Sequence, residues 1–287
     1  MNAPCAAQYL RQAHAPAASD ACAMCFHRRS CLPSVLGDLA PAALRDVLGP
    51  PQRVAKGMRL VVAGQAAPRV FIVHNGAFKS LVGVADGRQR IVGFQEAGDW
   101  LGLEGLSGVY RADVVALEHS QVCEVDLLHL EDLAGRTPAL QRYLCRAMAQ
   151  ALVHAQGQQF ALGSMHVRER LVRFLLDLSQ RYAQRGLAPA EFTLRMSRED
   201  IGDYLGFRLE TVSRVFTELH RAGLIELARR RVRIIDRGAL DGLLDTGAPA
   251  VVRPAVAPAS SRTLRDGGLR MARAAAPQAS RASAVGG

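Results

Sequence analysis

Three cysteines lie close together near the start of the chain, and a fourth stands alone much further on. Cys22, Cys25 and Cys31 are spaced C-x2-C-x5-C, and Cys123 lies inside a strand-like run at 121–125. Four thiolates are soft ligands that suit either an iron–sulfur cluster or a zinc ion. The cysteines therefore predict a metal-type site that joins an N-terminal loop to a strand.

Other interpretations of the cysteines stay open from their spacing alone. His27 lies within the cluster and could complete a zinc site, or the thiols could bind nothing. Disulfides are disfavoured if the chain is cytosolic, because thiols are kept reduced in that compartment. The remaining two cysteines, Cys5 and Cys145, are expected to be bystanders, with Cys145 as a small packing residue on a helix.

A second constellation, in the C-terminal half, has the pattern of a helix-turn-helix followed by a wing. Ser197 and Asp200 form a variant of the capping box that begins a first helix over 197–205. Gly206 permits the tight turn that leads into a second helix. The strand-like run at 224–235, with three arginines near its centre, predicts a two-stranded wing.

The second helix of this constellation has the layout of a recognition helix. Its apolar residues fall on one face, and they are Val212, Val215, Phe216 and Leu219. Polar residues near its start lie on the opposite face, where such a helix enters the major groove. Arginine can bind guanine, glutamate can accept from cytosine, and wing arginines can contact phosphates. The expected DNA contacts are Arg208, Glu210, Thr211, Ser213, Arg214 and Arg230.

Short β-branched runs recur through residues 53–128, with turn signals between them. Evenly spaced short strands predict an antiparallel barrel or jelly roll. Asn75 with Gly76, and Asp86 with Gly87, are dipeptides that favour tight hairpins.

Helical patterns flank the predicted strands. A short helix is expected at 38–48, a long one at 137–163 and another at 166–182. An apolar stripe runs along the long helix, made of Leu140, Leu144, Met148 and Leu152. This stripe predicts either a dimer seam or a helix that packs into its own subunit.

Charge and hydropathy bear on which partners the protein can have and where it is located. The chain has 287 residues and a net charge of +10, but residues 246–287 hold six arginines against one aspartate. Half of the excess thus lies in this tail, so the basic balance alone does not prove DNA binding. No apolar run is long enough to span a bilayer, and no signal peptide is recognised, so the expected location is the cytoplasm, without a membrane partner.

The span from about 20 to 243 resembles the CRP/FNR superfamily of bacterial regulators, and within it the oxygen-sensing FNR branch. The resemblance rests on the cysteine cluster with its lone partner in a Val-Cys-Glu strand, on the run at 181–206, and on the E-x-x-S-R signature at 210–214. It implies an α+β fold with an N-terminal cyclic-nucleotide-binding-type β-roll (jelly roll), a long dimerisation helix and a C-terminal winged helix-turn-helix.

The same resemblance implies a transcription regulator rather than an enzyme. A [4Fe-4S] cluster held by the four cysteines would favour a homodimer when oxygen is low. That dimer would bind an FNR-type palindromic promoter site in double-stranded DNA and recruit RNA polymerase.

The expected organisation has five segments. They are a disordered N-terminus (1–21), the cluster loop and β-roll sensor (22–136), the dimerisation helix (137–163), the winged helix-turn-helix (164–245) and a disordered basic tail (246–287).

Two alternatives remain, a cyclic-nucleotide-gated regulator and a zinc-stabilised DNA-binding regulator without redox sensing. The first is disfavoured because Leu103 displaces the acid of the nucleotide branch's Gly-Glu pair and Ala112 replaces the serine of its Arg-Ser pair.

Overall fold

The computed structural model describes residues 25, 31–36, 43–44, 46–83 and 86–245. Eight strands of this part form the expected β-roll. They are β1 (Leu48–Val54), β2 (Arg59–Val61), β3 (Arg69–Asn75), β4 (Ala77–Gly83), β5 (Gln89–Glu96), β6 (Trp100–Leu101), β7 (Asp113–Ala116) and β8 (Ser120–Asp126). One antiparallel sheet has the order β1-β8-β3-β6 and the other the order β2-β7-β4-β5.

Strand β3 shows how alternation builds two separate cores. Phe71 and Val73 point into the interior of the roll, which both sheets share. Val70 and Ile72 point to the outer face, where they pack against helices. Because neighbouring residues of a strand face opposite sides, a continuous apolar run serves both cores.

One of the two predicted hairpins is wrong. Asp86 and Gly87 do lie in the connection between the paired strands β4 and β5. Asn75 and Gly76 instead carry the chain from one sheet to the other, since β3 pairs with β6 and β8. Gly76 has a φ of 99°, and a Cβ added there would lie 2.1 Å from the hydroxyl oxygen of Ser120. The glycine serves close packing at the crossover.

Seven helices belong to the described part. They are α1 (Leu32–Leu36), α2 (Leu127–Arg136), α3 (Pro138–Ser164), α4 (Val167–Gln184), α5 (Arg198–Leu205), α6 (Leu209–Arg221) and α7 (Arg237–Asp245). None of them is both long and apolar enough to cross a bilayer. The helix expected at 38–48 falls largely outside the described residues, and Leu48 belongs to β1. The segments at 1–21 and 246–287 also lie outside them.

The long helix α3 is divided in its packing. Leu140 and Leu144 are buried in the outer core of the roll, together with Leu32 and Leu130. Further along the helix, apolar side chains are exposed. Only the later part of the predicted stripe is therefore available to a partner.

The C-terminal elements form a winged helix-turn-helix, as expected. Strands β9 (Glu191–Thr193), β10 (Ile225–Ala228) and β11 (Arg231–Ile234) make a sheet with the order β10-β11-β9. Ser197 caps α5, because its hydroxyl accepts from the Asp200 amide at 3.0 Å while the Asp200 carboxylate accepts from the Ser197 amide at 2.9 Å. Gly206 ends the helix at a φ of 78°.

The roll contributes directly to the core of this DNA-binding part. Ile91 and Phe94 of β5 belong to the same buried cluster as Phe174 and Tyr204. The rings of Phe94 and Tyr204 lie 5.1 Å apart. The β-roll and the winged helix-turn-helix therefore share one core, although the sequence predicts that they are separate domains.

Candidate sensor and nucleic-acid interface

The outer face of the β1-β8-β3-β6 sheet carries Ile72, His74 and Cys123, and we call it the cysteine face. Cys123 lies beside Pro51 of β1 and Ile72 of β3 in the register of the sheet. It is half-buried and packs against the outer core. The strand expected from sequence thus holds this thiol on the side of the outer core, to which α1 also belongs.

Cys31 also packs against the outer core, at the start of α1. Burial raises the pKa of the Tyr143 phenol, and the negative charge of a Cys31 thiolate adds to this effect. The Tyr143 ring lies 6.4 Å from that of Trp100, which neighbours Ile72 in the sheet. Cys31 and Cys123 are therefore linked through one aromatic and aliphatic cluster.

Cys25 contacts the same sheet through a polar partner. Its sulfur lies 3.6 Å from Nδ1 of His74, which follows Ile72 by two residues on β3. The sequence offered no signal for this histidine, because the contact joins residues that are far apart in the chain.

The predicted four-cysteine site stays a prediction. Within the described ranges, no group of three or more Cys, His, Asp and Glu side chains could hold a single metal ion. Cys22, Cys5 and His27 lie outside those ranges. A cluster of several irons lets each thiolate bind a different iron, so its ligands need not converge on one point. Cys25, Cys31 and Cys123 lie around one sheet face, and thiolates of this kind are the ligands that an iron–sulfur cluster takes.

Cys145 differs from its expected role as a packing residue. It is exposed on α3. Four large apolar side chains of this part of the helix are exposed, Met148 by 42%, Leu152 by 59%, Val153 by 45% and Phe160 by 38%. At 100° per residue, Cys145, Met148 and Leu152 fall within one narrow stripe.

The recognition helix α6 has the two faces expected from its sequence. Val212, Val215, Phe216 and Leu219 are all buried. Four of the predicted base or phosphate contacts on or beside it are exposed, and these are Arg208, Glu210, Ser213 and Arg214. Thr211 is half-exposed. Within the described residues, the nearest carboxylate to Arg214 is that of Glu218 at 4.0 Å.

The wing turn lies between β10 and β11, as predicted. Arg229 and Arg230 form the turn and are exposed. Arg229 has a φ of 56°, a conformation that costs a non-glycine residue about 1–2 kcal/mol. This turn presents guanidinium groups away from the core, where they can contact phosphates.

Arg198, at the start of α5, is a further basic group that the sequence did not single out. Its guanidinium lies 3.3 Å from the centre of the Phe216 ring, and burial lowers its pKa to about 10. Its Nη1 is buried and has no acceptor among the described residues. The group stays charged at neutral pH.

Ion pairs connect the β-roll to the DNA-binding part. Asp99 binds both Arg181 and Arg185 of α4, the latter at 2.5 Å. Burial pushes the pKa of Asp99 upward, but the two guanidinium groups outweigh it and hold the pKa below its usual value. Lys79 contacts Asp200 at 2.7 Å. These contacts fix α4 and α5 against the roll.

Arg170 joins the end of the long helix to the helix-turn-helix. Its guanidinium donates to the carbonyl oxygens of Leu162 at 2.8 Å, Met165 at 2.8 Å and Leu205 at 3.1 Å. Because one planar guanidinium bonds to the C-terminal ends of both α3 and α5, it fixes the position of these two ends relative to each other.

Comparison with known proteins agrees with this architecture. The Crp-like helix-turn-helix domain family matches residues 169–243, and the cyclic nucleotide-binding domain family matches residues 51–137. The chain is 35% identical over 236 residues to the transcriptional regulatory protein Btr of Bordetella pertussis, which covers 81% of this chain and 98% of that protein. The chain belongs to the CRP/FNR superfamily of transcription regulators.

Other members of the superfamily extend the comparison. The fumarate and nitrate reduction regulatory protein of Escherichia coli K12 is 33% identical over 220 residues, which is 76% of this chain and 88% of that protein. The structure of FixK2 from Bradyrhizobium japonicum is 32% identical and has a TM-score of 0.62, over 70% of this chain and 98% of that one. Both curated relatives are named as regulatory proteins, and the chain is accordingly a transcription regulator rather than an enzyme.

Leu103 and Ala112, which differ from the residues of the nucleotide branch, both lie in the roll of this CRP/FNR protein. Tyr110 and Ala112 are buried, and the Tyr110 hydroxyl donates to the Arg69 carbonyl oxygen. Glu104 is exposed on a short 3₁₀ helix, after Leu103. The serine position of the Arg-Ser pair is therefore a buried alanine, and the acid that follows Leu103 is exposed.

Proposed function

We propose that this protein is an oxygen- or redox-responsive regulator of the FNR branch. The observation that carries the proposal is the position of Cys25, Cys31 and Cys123 around one outer sheet face, against the first half of α3. The spacing of Cys22 from this set, and the similarity to the fumarate and nitrate reduction regulatory protein, support a [4Fe-4S] cluster.

In this proposal Cys22, Cys25, Cys31 and Cys123 hold the cluster. The bound group would supply an oxygen-labile crosslink between the N-terminal segment and the roll. Trp100 and Tyr143, whose rings are neighbours, would cover the site and exclude water from the sulfur ligands. Oxygen sensing then depends on whether the N-terminal segment stays fastened to this face.

We further propose that the exposed stripe on α3 is the seam of a homodimer. Met148 and Leu152 are large apolar side chains that face solvent in the single chain. The first part of the predicted stripe, Leu140 and Leu144, is used inside the subunit. Burial of the exposed part would favour association by about 25 cal/mol per Å2 of apolar surface.

The proposed dimer reads a palindromic promoter site in double-stranded DNA. Two copies of α6 would enter successive major grooves about one helical turn apart, roughly 34 Å. Glu210, Ser213 and Arg214 would read base edges, with Arg208 and Thr211 beside them, and the wing arginines would contact phosphates. RNA polymerase is the proposed protein partner of the bound dimer.

Anaerobic purification with iron, sulfide and zinc analysis tests the proposal. We expect iron and acid-labile sulfide in equal amounts, broad absorption that disappears in air, and little zinc. Cys123→Ser should lose the iron, and Cys145→Ser is the matched control that should keep it. Stoichiometric zinc without sulfide would instead support a zinc-stabilised regulator, and the redox proposal would be wrong.

A further inference from the structure

We propose that His74 is a positioning residue for the sensor site, donating a hydrogen bond to the sulfur of Cys25 and so setting how readily the cluster is reduced and lost. This inference rests on the proposed function and adds to it a residue outside the four ligands. The observation behind it is the contact of 3.6 Å between Nδ1 of His74 and Sγ of Cys25.

The strand geometry shows why His74 can reach the cysteine loop. β3 and β8 are in register at Ile72 with Cys123 and at Val73 with Val122, but the register then shifts before Asn75. One residue of β3 is therefore extra at this point, and that residue is His74. A bulge re-aims a side chain and leaves it outside the regular ladder. The imidazole is half-buried and reaches the sulfur at this irregularity.

The chemistry of the contact follows from the state of the sulfur. A ligating cysteine is a thiolate, which accepts hydrogen bonds, so the nitrogen must donate. An N–H group beside the sulfur stabilises negative charge on it. Since the cluster gains charge when it is reduced, the donor favours the reduced form and raises the reduction potential. It also holds Cys25 in the orientation that ligation requires.

Two variants separate this role from the alternatives. His74→Asn keeps an N–H donor close to the position of Nδ1, and His74→Leu fills similar space without a donor. Both are compared with the wild-type chain after anaerobic reconstitution, with circular dichroism as a check of folding. The measurements are iron and sulfide per chain, the midpoint potential, and the half-life of cluster absorbance after mixing with air-saturated buffer.

We expect all three proteins to hold the same iron and sulfide. His74→Leu should show a lower midpoint potential and a half-life in air shorter by roughly tenfold, which is the lower end of what loss of an outer-shell partner does to metal affinity or activity. His74→Asn should restore most of both values.

Three results would overturn the inference. Equal potentials and half-lives in His74→Leu and wild type would mean that the hydrogen bond has no effect on the cluster. Failure of His74→Asn to restore the values would remove the N–H donor as the cause. Loss of iron from both variants would make His74 a ligand. A wild-type chain that holds no cluster would overturn the proposed function itself, and that result is distinct from the other three.

Discussion

Arg214 and Arg230 are both exposed arginines of the DNA-binding part, but they are held in different ways. Arg214 projects from the second turn of α6, a rigid helix whose opposite face is buried in the core. Arg230 lies in the two-residue turn of the wing, beside a residue with a positive φ. A rigid helix can direct a guanidinium at one base edge, whereas a wing turn supplies charge near the backbone.

We therefore expect the two substitutions to reduce DNA-binding affinity in different ways. Arg214→Ala should weaken binding to the cognate site by about 1–3 kcal/mol and relax specificity at one base pair. Arg230→Ala should weaken binding to all sequences alike and reduce the salt slope by about one. The measurement is a titration of each variant on matched and single-base-changed sites at several salt concentrations. An equal loss on every sequence for Arg214→Ala would make it a phosphate contact.

The residue types of the DNA interface could be predicted from sequence, since helical periodicity alone separates the buried face of α6 from Glu210, Ser213 and Arg214. The same was not possible for His74 and Arg198, nor for the contacts of Arg170, Arg181 and Arg185. Each of these depends on a neighbour that is distant in the chain, and pairing across the fold leaves no local pattern in the sequence. The metal ligands were predicted from spacing, and their assignment stays a prediction.

At the scale of elements, ion pairs add to the shared core in connecting the roll to the DNA-binding part. Asp99 sits in the loop between β5 and β6 and faces Arg181 and Arg185 on α4. Another pair between the two parts, Arg195 with Glu118 at 3.3 Å, is more exposed. Removing a partly buried carboxylate from between two guanidinium groups should cost far more stability than breaking a surface pair.

Replacing Asp99 with asparagine should lower the free energy of unfolding by about 3 kcal/mol at pH 7, because two guanidinium groups lose their shared partner. The pKa of Asp99 is lowered in the folded state. Its stabilising effect is therefore present above about pH 4 and is lost as the pH falls through the lowered value.

Denaturant unfolding of wild type and Asp99→Asn at pH 7, 5 and 3 measures this effect. We expect the difference between the two proteins to persist at pH 5 and to shrink toward pH 3. Glu118→Gln is the control for a surface pair and should cost less than about 1 kcal/mol. A difference that grows as the solution becomes acidic would contradict the assignment.

Most elements of this fold could be predicted, and the exceptions have physical reasons. The six runs of β-branched residues and the helices after residue 137 correspond to observed elements. Strand β1 contains Pro50 and Pro51, so its sequence does not look like a strand, although pairing with β8 stabilises it. Strands β6 and β9 have two and three residues, which is too short for a pattern. The crossover at Gly76 resembles a hairpin locally, and only sheet assignment distinguishes the two.

The exposed half of α3 gives a sharp test of the proposed seam. Leu152→Glu would place a charge in an apolar interface and should shift the protein to monomers by at least tenfold in the dissociation constant. Gln150→Glu adds the same charge to the same helix about 160° away around its axis, and it should have little effect. Analytical ultracentrifugation of both variants under anaerobic conditions measures the equilibrium. Equal weakening by the two variants would argue against a seam at Leu152.

At the scale of the whole molecule, helix α3 packs beside the cysteine face at one end and carries the proposed seam further along. Tyr143 and Leu144 of α3 pack with the outer core beside Cys31 and Cys123. Met148 begins the exposed stripe about one turn further on. The end of the same helix meets Arg170, which bonds to the C-terminus of α5. Helix α3 therefore connects the cysteine face to the proposed seam and, through Arg170, to the DNA-binding part.

This route predicts that air shifts the monomer–dimer equilibrium and DNA affinity together. A cluster can favour the dimer only if it binds the dimer-competent state better than the monomer, so its loss must reverse that preference. Sedimentation and DNA titration of the reconstituted wild type, before and after exposure to air, should show fewer dimers and weaker specific binding after exposure. Cys123→Ser should behave alike in both conditions. Cys145→Ser should respond as the wild type does, which would also exclude a disulfide across the seam as the cause.

One outcome would refute the gating role of α3. It is an identical monomer–dimer equilibrium for the wild type before and after air, with loss of the cluster confirmed by its absorbance.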